Sequence, residues 1–386
     1  MKRLLSTTLL ATLFFGTLFA APKKPLNLEP IQIDPIEQKN EYIEVISDPR
    51  LEVIGIICRL AEYPSFTNYW VGEATYTTQI DSYFKKYKDD KAVATAKTFK
   101  DRGIDAAAMI SLAYHIKPDF SGTVIDFDPY PDTLLENWKK IKTNEIYKFI
   151  TSVHDFVIKT NYQRLLILNR GDLLAQVGYF YKDAEDYRIE EWTNSFFGKN
   201  VFDRKVISVN RICPLFMAYD IVKDRDGKTT AYTTVYPGCG LAQMLMIYLD
   251  NFIQEYGDAH WETVKDNFTA LIIDLAKKMY PEDYKKNEKE IKKSINTDLF
   301  VSFMCNFICL EYFRSPIFQE VAEKKEMSNV YESVYASLEK NYSADWFYKM
   351  VELSNEYTDN RDKYPTLKQF FPKYIDCINS ISFEQE

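Results

Sequence analysis

The chain has 386 residues, of which 56 are acidic and 48 basic, so its formal net charge is -8. The basic residues form no block, and a nucleic-acid partner needs clustered lysine and arginine to displace counterions from phosphate, so the composition argues against nucleic-acid binding. Aromatic residues are abundant and glycine is scarce, at 12 residues, which favours a helix-rich chain with buried amphipathic elements.

The first segment, residues 1–21, has the pattern of a secretory signal peptide. Lys2 and Arg3 form a basic start, residues 4–19 are apolar, and small residues follow before Pro22. No cysteine follows closely, which disfavours a lipid anchor. No later stretch reaches the ~18 uninterrupted apolar residues of a membrane-spanning helix. We therefore predict a secreted or periplasmic protein with no membrane span after signal cleavage.

Residues 22–46 are proline-rich and irregular, and we interpret them as a leader strand or linker. Asp48-Pro49 then predicts a helix start, because a capping oxygen is followed by a proline whose missing N–H costs nothing at the first helical position. Further helices are expected over residues 76–87 and 105–115. We predict that residues 47–200 form a helical lobe.

Helical periodicity resumes at Asp132 and continues to about Phe197. Three residues interrupt this pattern and predict breaks between helices, namely Asn161, Gly171 and Asp183.

The pattern changes between residues 205 and 236, where β-branched and aromatic residues predict strands over 205–210, 215–222 and 229–236. Asp226-Gly227 predicts a hairpin between the last two strands, with positive φ at both turn positions. We expect a small antiparallel sheet that leads into a helix from about Gly240 to Phe252. Further helices are expected over residues 260–279, 282–294 and 298–313.

These elements predict an α+β fold that is predominantly α-helical. Residues 201–386 would form a small antiparallel sheet with a second helical lobe, whose core spans about residues 201–313. This lobe and the lobe of residues 47–200 are either separate or parts of one continuous domain.

Several stretches resemble a family of secreted bacterial DUF4932-type proteins with zincin-like metallopeptidase character. They are DPRLEVIGIICRLA at 48–61, DSYFKKYK at 81–88, DAAAMISLA at 105–113, FFG at 196–198, and the passage from hairpin to helix that ends at Phe252. The resemblance implies a zincin-like layout, in which the helix after the sheet carries His-Glu-x-x-His. Two histidines at that spacing lie on one helix face and bind zinc, and the glutamate activates a metal-bound water.

The corresponding helix in this chain, Cys239–Asp250, has neither histidine nor glutamate. Asp298 occupies the position that the resemblance implies for a third ligand. The chain has only three histidines, which fall on three separate predicted helices, namely His115, His154 and His260. We therefore predict no catalytic residue, no metal ligand and no cofactor, and a non-catalytic homologue that binds a protein, peptide or glycan.

An active hydrolase is the alternative, with either a non-standard metal site or Cys239 as nucleophile. Cys239 lies between two glycines at a predicted helix start, where the helix dipole would lower the thiol pKa. A turn with a small capping residue is the competing interpretation.

Two other sets of residues are candidate sites. Asp126, Asp128 and Asp132 alternate in a loop that could bind calcium, although two prolines and the lack of a sharp-turn glycine favour a solvated loop. Cys305 and Cys309 lie one helical turn apart on an apolar stretch, which favours buried thiols. An exported chain could form one or two disulfides, and the sequence does not specify which cysteines would pair.

Overall fold

The computed structural model describes most of the chain after the N-terminal segment, over residues 26–67, 74–127, 130–131, 136–198, 201–212, 218–326 and 345–381. The predicted signal peptide, residues 1–21, lies outside the described residues. The described part is mostly helical and contains one five-stranded mixed sheet, so the α+β, predominantly helical fold class is confirmed.

The first half of the chain supplies helices that begin where the capping residues indicate. Asp48 accepts a hydrogen bond from the Arg50 backbone N at 2.9 Å, and Asp105 accepts one from Ala108 N at 2.8 Å. The bounds are α1 (Pro49–Leu60), α2 (Pro64–Thr67), α3 (Ala74–Phe84), α4 (Lys91–Asp101), α5 (Ala106–His115), α6 (Thr143–Thr160), α7 (Tyr162–Asp186) and α8 (Ile189–Phe197), with 3-10 turns at Lys85–Tyr87 and Glu136–Lys140.

Helix boundaries occur near two of the three predicted breaks. Asn161 has φ 52° and separates α6 from α7, because asparagine tolerates the left-handed conformation that ends a helix. The break expected near Asp183 lies a few residues later, at Tyr187 and Arg188 between α7 and α8, whereas the break expected near Gly171 is wrong because this residue lies inside α7. A single glycine weakens a helix without ending it when the packing of the neighbouring turns holds it in place.

The strands are β1 (Ile36–Lys39), β2 (Glu44–Ser47), β3 (Arg204–Val209), β4 (Ala218–Lys223) and β5 (Thr229–Val235), in the order β1-β2-β3-β5-β4. The predicted antiparallel sheet is wrong, because β2, β3 and β5 run parallel and only the two outer pairs are antiparallel. Residues 205–209 of β3 are buried on both faces, as parallel strands covered by helices are. The segment interpreted as a leader or linker supplies β1 and β2.

The β4–β5 hairpin is confirmed, but its turn differs from the prediction. Of the two turn residues, only Gly227 has positive φ, at 81°. Asp224 closes the turn with its side chain, which accepts hydrogen bonds from the backbone N of Asp226 and Lys228, both at 2.9 Å. A side chain that caps its own turn removes the need for a second residue with positive φ.

Helices cover both faces of the sheet. On one face the Tyr114 ring of α5 stacks on Tyr232 of β5 at 4.1 Å, and on the other Asn251 donates to Thr233 at 2.7 Å. Successive strand residues point to opposite faces, so Tyr232 and Thr233 connect the sheet to different helical layers.

The second half contains a helix much longer than predicted. The helices expected to end at Phe252 and to begin at His260 are one helix, α9 (Leu241–Met279), about 58 Å long at 1.5 Å per residue. The remaining helices are α10 (Pro281–Ser294), α11 (Thr297–Arg314), α12 (Pro316–Lys324), α13 (Asp345–Asp359) and α14 (Leu367–Asn379). Within the described ranges, no helix combines the length and apolar character needed to cross a membrane.

Candidate functional site

The segment that aligns with the zinc helix lies at the start of α9. This helix follows β5 directly and packs against the β4–β5 hairpin and α11. Its first turns are packed into the core by Met244, Leu245, Ile247, Tyr248 and Leu249, all of which are buried. The start of α9 is therefore covered by apolar packing.

Asp298, the position that the family resemblance implies for a third metal ligand, interacts electrostatically with the carboxyl group of Asp250. Asp250 of α9 accepts a hydrogen bond from the Cys305 thiol, with Sγ and Oδ1 3.6 Å apart. The pKa of Asp250 is raised to about 7, mainly by burial and in part by the charge of Asp298, although the hydrogen bond from Cys305 opposes the rise. The group therefore holds a proton more readily than an exposed aspartate does.

The three histidines have separate structural contacts. Nδ1 of His115 and of His260 lies 2.8 Å from a carbonyl oxygen one turn earlier in its own helix, and His154 Nε2 lies 2.9 Å from Glu29 O. Burial lowers the pKa of His115 to about 4. Among the described residues, no three histidine, cysteine, aspartate or glutamate side chains are grouped so that they could hold a metal ion.

Cys239 lies just before α9, as predicted, but its environment does not activate the thiol. The residue is 2% exposed, and burial raises its pKa to about 11. The expectation of a lowered pKa is therefore wrong, because loss of hydration outweighs any effect of the helix dipole. The thiol is protonated at neutral pH.

The other sequence candidates are not brought together into a site. The five cysteines in the described ranges are buried and free of disulfides, so no bridge joins Cys58, Cys239, Cys305, Cys309 or Cys377. Asp126 pairs with Arg225 at 2.9 Å on the surface, while Asp128 and Asp132 lie outside the described residues.

A different region forms a groove of about 650 Å³, which we call the polar groove. It lies where the β1–β2 loop, α8 and the start of β3 meet, and it is lined by Glu41, Tyr42, Glu191, Asn194, Ser195, Phe202, Asp203, Arg204 and Lys205. Its volume falls within the ~300–1,000 Å³ range of ligand sites.

Two consecutive cations at the start of β3 are held on opposite faces of the sheet, because strand side chains alternate. Arg204 binds Glu44 of β2 through two nitrogens, with Nε–Oε2 at 2.9 Å and Nη2–Oε1 at 2.5 Å. Lys205 Nζ lies 2.7 Å from Glu190 Oε2 and 3.0 Å from Asn194 Oδ1. Both cations of the groove are thus neutralised by carboxylates.

Three carboxylates lie at the exposed rim of the groove. Glu41, Glu191 and Asp203 are all exposed at its rim. Asp203 Oδ2 accepts hydrogen bonds from Thr229 N at 2.7 Å and Oγ1 at 3.0 Å, and these bonds lower the pKa of Asp203. Arg188 binds Glu191 and lowers its pKa as well. The carboxyl groups of Asp203 and Glu191 are therefore ionised at neutral pH.

The sequence pattern does not predict this groove. Lys205 is predicted only as the first residue of a strand. The available signal was the Arg204-Lys205 pair before an apolar run, since each cation would need a counter-ion on its own face of the sheet. The counter-ions are Glu44 and Glu190. They cannot be identified from the sequence around residues 204 and 205, because they lie on other elements of the fold.

Neither models of protein families, nor curated proteins, nor solved structures give a match to this chain.

Proposed function

We propose that the chain is an exported, non-catalytic binding protein on a zincin-like scaffold, and that the polar groove binds a positively charged segment of a peptide. One observation carries the proposal: the groove presents three exposed carboxylates, from Glu41, Glu191 and Asp203, and only two cations, Arg204 and Lys205, which are paired with carboxylates outside the lining. Glu191 is itself paired with Arg188, so Glu41 and Asp203 are the carboxylates of the lining that pair with no cation in the described structure. An acidic recess attracts cationic partners and disfavours anionic ones.

The scaffold part of the proposal is supported by the order of the elements. A sheet leads directly into a long helix, α9, which packs beside α11. The face of α9 that would hold a metal is filled by buried apolar side chains such as Leu245 and Leu249. A scaffold that has exchanged metal ligands for hydrocarbon keeps its fold and offers other surfaces for binding.

Aromatic and amide groups in the groove suit a peptide better than a simple cation. Tyr42, which is 54% exposed, and Phe202, which is partly buried, both line the groove. Rings of this kind attract lysine and arginine head groups and cover their aliphatic stems. Asn194 and Ser195 add hydrogen-bonding groups that can pair with a peptide backbone.

Fluorescence anisotropy with a short labelled peptide of alternating lysine and alanine tests the proposal. We expect saturable binding that weakens as ionic strength rises from about 0.01 M to about 0.1 M, because the Debye length falls from ~30 to ~10 Å. The same peptide with glutamate in place of lysine should not bind. Equal binding of both peptides would contradict the proposal.

A charge-matched pair of variants locates the site. Glu41→Gln with Glu191→Gln should weaken binding about fivefold, since exposed charge pairs contribute about 0.2–1 kcal/mol each. Glu282→Gln with Glu290→Gln removes the same charge from the exposed face of α10 and should leave binding unchanged. Equal weakening by both pairs would indicate a general charge effect and would exclude this groove.

Two further measurements test the non-catalytic assignment and the export of the chain. Stoichiometric zinc that survives dialysis, or proteolysis abolished by a chelator, would overturn the non-catalytic assignment. N-terminal sequencing of protein recovered outside the cytoplasm should begin near Pro22 if residues 1–21 are removed on export.

A further inference from the structure

The middle of α7 is apolar on both of its faces, although only one of them is covered. Its inner face packs on β1 and β2, and Leu165, Leu166, Leu173 and Val177 are buried there. A helix that is apolar all round is normally covered on every side. The outer face of α7 therefore lacks the cover that its composition predicts.

We call this outer face the apolar stripe. Its members are exposed and spaced by three or four positions, so they share one side of the helix, and they are Ile167, Leu168, Gly171, Leu174 and Ala175. Ile167 and Leu168 are 66% and 62% exposed. In the part of the chain that the structure describes, the large aliphatic side chains that are exposed are Ile167, Leu168, Leu174 and Ile158, the last of which lies near the end of α6. A concentration of this kind marks an interaction surface, whereas single exposed apolar residues do not.

A cation lies at each end of the apolar stripe. Arg164 and Lys182 are 18 residues apart, which is about five helical turns, so both lie on the side of α7 that carries the stripe, about 27 Å apart. Both side chains are exposed, and neither forms a salt bridge within the described ranges. Arg170 and Asp172 are exposed on the two flanks. The stripe itself thus lies between two unpaired cations.

The other carboxylates of α7 follow Lys182 and are engaged elsewhere. Asp183 is half-buried, Glu185 accepts a hydrogen bond from the Tyr181 hydroxyl at 2.6 Å, and Asp186 pairs with Lys325 at 3.0 Å. They leave Arg164 and Lys182 available to an anionic group from outside the chain.

We propose that the apolar stripe docks the protein on an anionic phospholipid surface. Ile167, Leu168 and Leu174 enter the boundary between head groups and acyl chains, and Arg164 and Lys182 lie at the level of the phosphates. Arginine and lysine suit this position, because their aliphatic stems cover apolar surface while their charges reach polar groups. Helices that lie in the plane of a membrane combine an apolar face with cations in this way, and an anionic surface attracts those cations.

Charge and shape favour a membrane over a protein as the occupant. In a two-fold dimer centred on the stripe, antiparallel helices bring Arg164 against Lys182 of the second copy, and parallel helices bring each cation against its own equivalent. Like charges disfavour both arrangements. A Cβ on Gly171 would meet no atom within 4 Å, so no wall stands over the middle of the stripe to form the groove that a helical peptide occupies. A bilayer surface, in contrast, accepts a convex helix face.

Co-sedimentation with phospholipid vesicles tests the proposal. Protein recovered outside the cytoplasm after removal of residues 1–21 is used, because that segment is itself apolar and basic and would bind vesicles. We expect binding to vesicles of phosphatidylglycerol mixed with phosphatidylcholine, and at least about tenfold weaker binding to phosphatidylcholine alone, because each cation near an anionic surface contributes about 1 kcal/mol. No cationic peptide is present, so the result is independent of the polar groove.

Two pairs of substitutions locate the surface. Ile167→Gln with Leu168→Gln should weaken vesicle binding more than about tenfold, because the burial of two aliphatic side chains is lost. Arg164→Gln with Lys182→Gln should weaken it about 25-fold, at about 1 kcal/mol for each cation. All four residues are exposed, so the fold should be retained, and circular dichroism checks this.

Matched controls remove the same kinds of side chain elsewhere. Tyr280→Gln with Tyr348→Gln removes two exposed apolar side chains, Lys285→Gln with Lys289→Gln removes two exposed cations of α10, and both pairs should leave binding unchanged. Equal binding to the two kinds of vesicle, or equal effects of the stripe and control pairs, would overturn the proposal. It would also be overturned if the chain bound no vesicles and instead formed a dimer that Ile167→Gln with Leu168→Gln dissociates, or bound an acidic amphipathic peptide through the stripe.

Discussion

Lys205 Nζ lies 2.7 Å from Glu190 Oε2, and the two side chains are only 8% and 9% exposed. The pair joins β3 to α8 beneath the polar groove. Burial raises the pKa of Glu190, while the charge of Lys205 opposes that shift. Removing one member of an ion pair that is so little exposed to solvent is costly, because the remaining charge cannot be hydrated.

Removing one member of this pair should therefore destabilise the protein more than removing both. We expect Glu190→Gln to lower the free energy of unfolding by about 3–5 kcal/mol, and Glu190→Gln with Lys205→Met to recover much of that loss. Urea denaturation measures both. Asp186→Asn, which breaks the more exposed pair with Lys325, is the control and should cost at most about 1 kcal/mol. A Glu190→Gln cost no larger than that of the control would contradict the prediction.

Arg50 should not be replaceable by lysine. Its guanidinium binds Asp48 with Nη2 and Oδ2 2.6 Å apart, donates to the carbonyl oxygens of Tyr114 and Ile116, and has its Cζ 5.6 and 5.3 Å from the ring centroids of the stacked Tyr114 and Tyr232. A lysine ammonium cannot supply this planar set of donors. We expect Arg50→Lys to lower the free energy of unfolding by more than about 2 kcal/mol.

Arg102→Lys is the matched control, because Arg102 pairs with Glu145 at 2.8 Å on the surface. Its cost should remain within about 1 kcal/mol. Thermal and urea denaturation give the comparison, and equal costs at the two positions would show that the buried guanidinium is not specifically required.

Local signals in the sequence were sufficient for features that depend on neighbouring residues. Asp48 before Pro49 predicted the start of α1, Asn161 predicted the break before α7, and Gly227 predicted the hairpin. In each case a capping side chain or a positive φ is decided within a few residues.

Features that depend on distant residues were not predicted. The parallel pairing of β3 with β2 joins residues about 160 positions apart, as the bond from Arg204 to Glu44 does. The polar groove was missed for the same reason, since Glu41 and Asp203 meet only after the sheet has formed. The continuity of α9 between Phe252 and His260 was missed as well, because the sequence does not reveal that α11 packs against this part of the helix.

Two carboxyl groups should make stability depend on pH. Burial raises the pKa of Glu52 to about 7, although the Tyr76 hydroxyl donates to it and the charge of Arg211 opposes the shift. Asp250 has a pKa of about 7 for the same main reason. The unfolded chain releases these protons near pH 4, so the folded protein binds more protons between about pH 4 and 7.

The stabilising contribution of these groups is therefore complete below about pH 4 and is lost as pH rises to about 7, at up to ~1.4 kcal/mol per pH unit for each group. Urea denaturation between about pH 5 and 8 measures this slope. Glu52→Gln and Asp250→Asn should each make it shallower, whereas Glu290→Gln on the surface should not. A slope that is unchanged in both variants would show that other groups control the pH dependence.

Two glycines inside helices should respond to alanine in opposite ways. A Cβ on Gly171 of α7 would meet no atom within 4 Å, whereas one on Gly257 of α9 would lie 2.4 Å from Val301 Cγ2 of α11. Gly171→Ala should raise the free energy of unfolding by up to about 1 kcal/mol, because alanine has the higher helix propensity. Gly257→Ala should lower it by about 1–3 kcal/mol through overpacking, and Val301→Ala in the same chain should relieve that clash. If Gly257→Ala were as stabilising as Gly171→Ala, the close approach of α9 and α11 at this residue would be wrong.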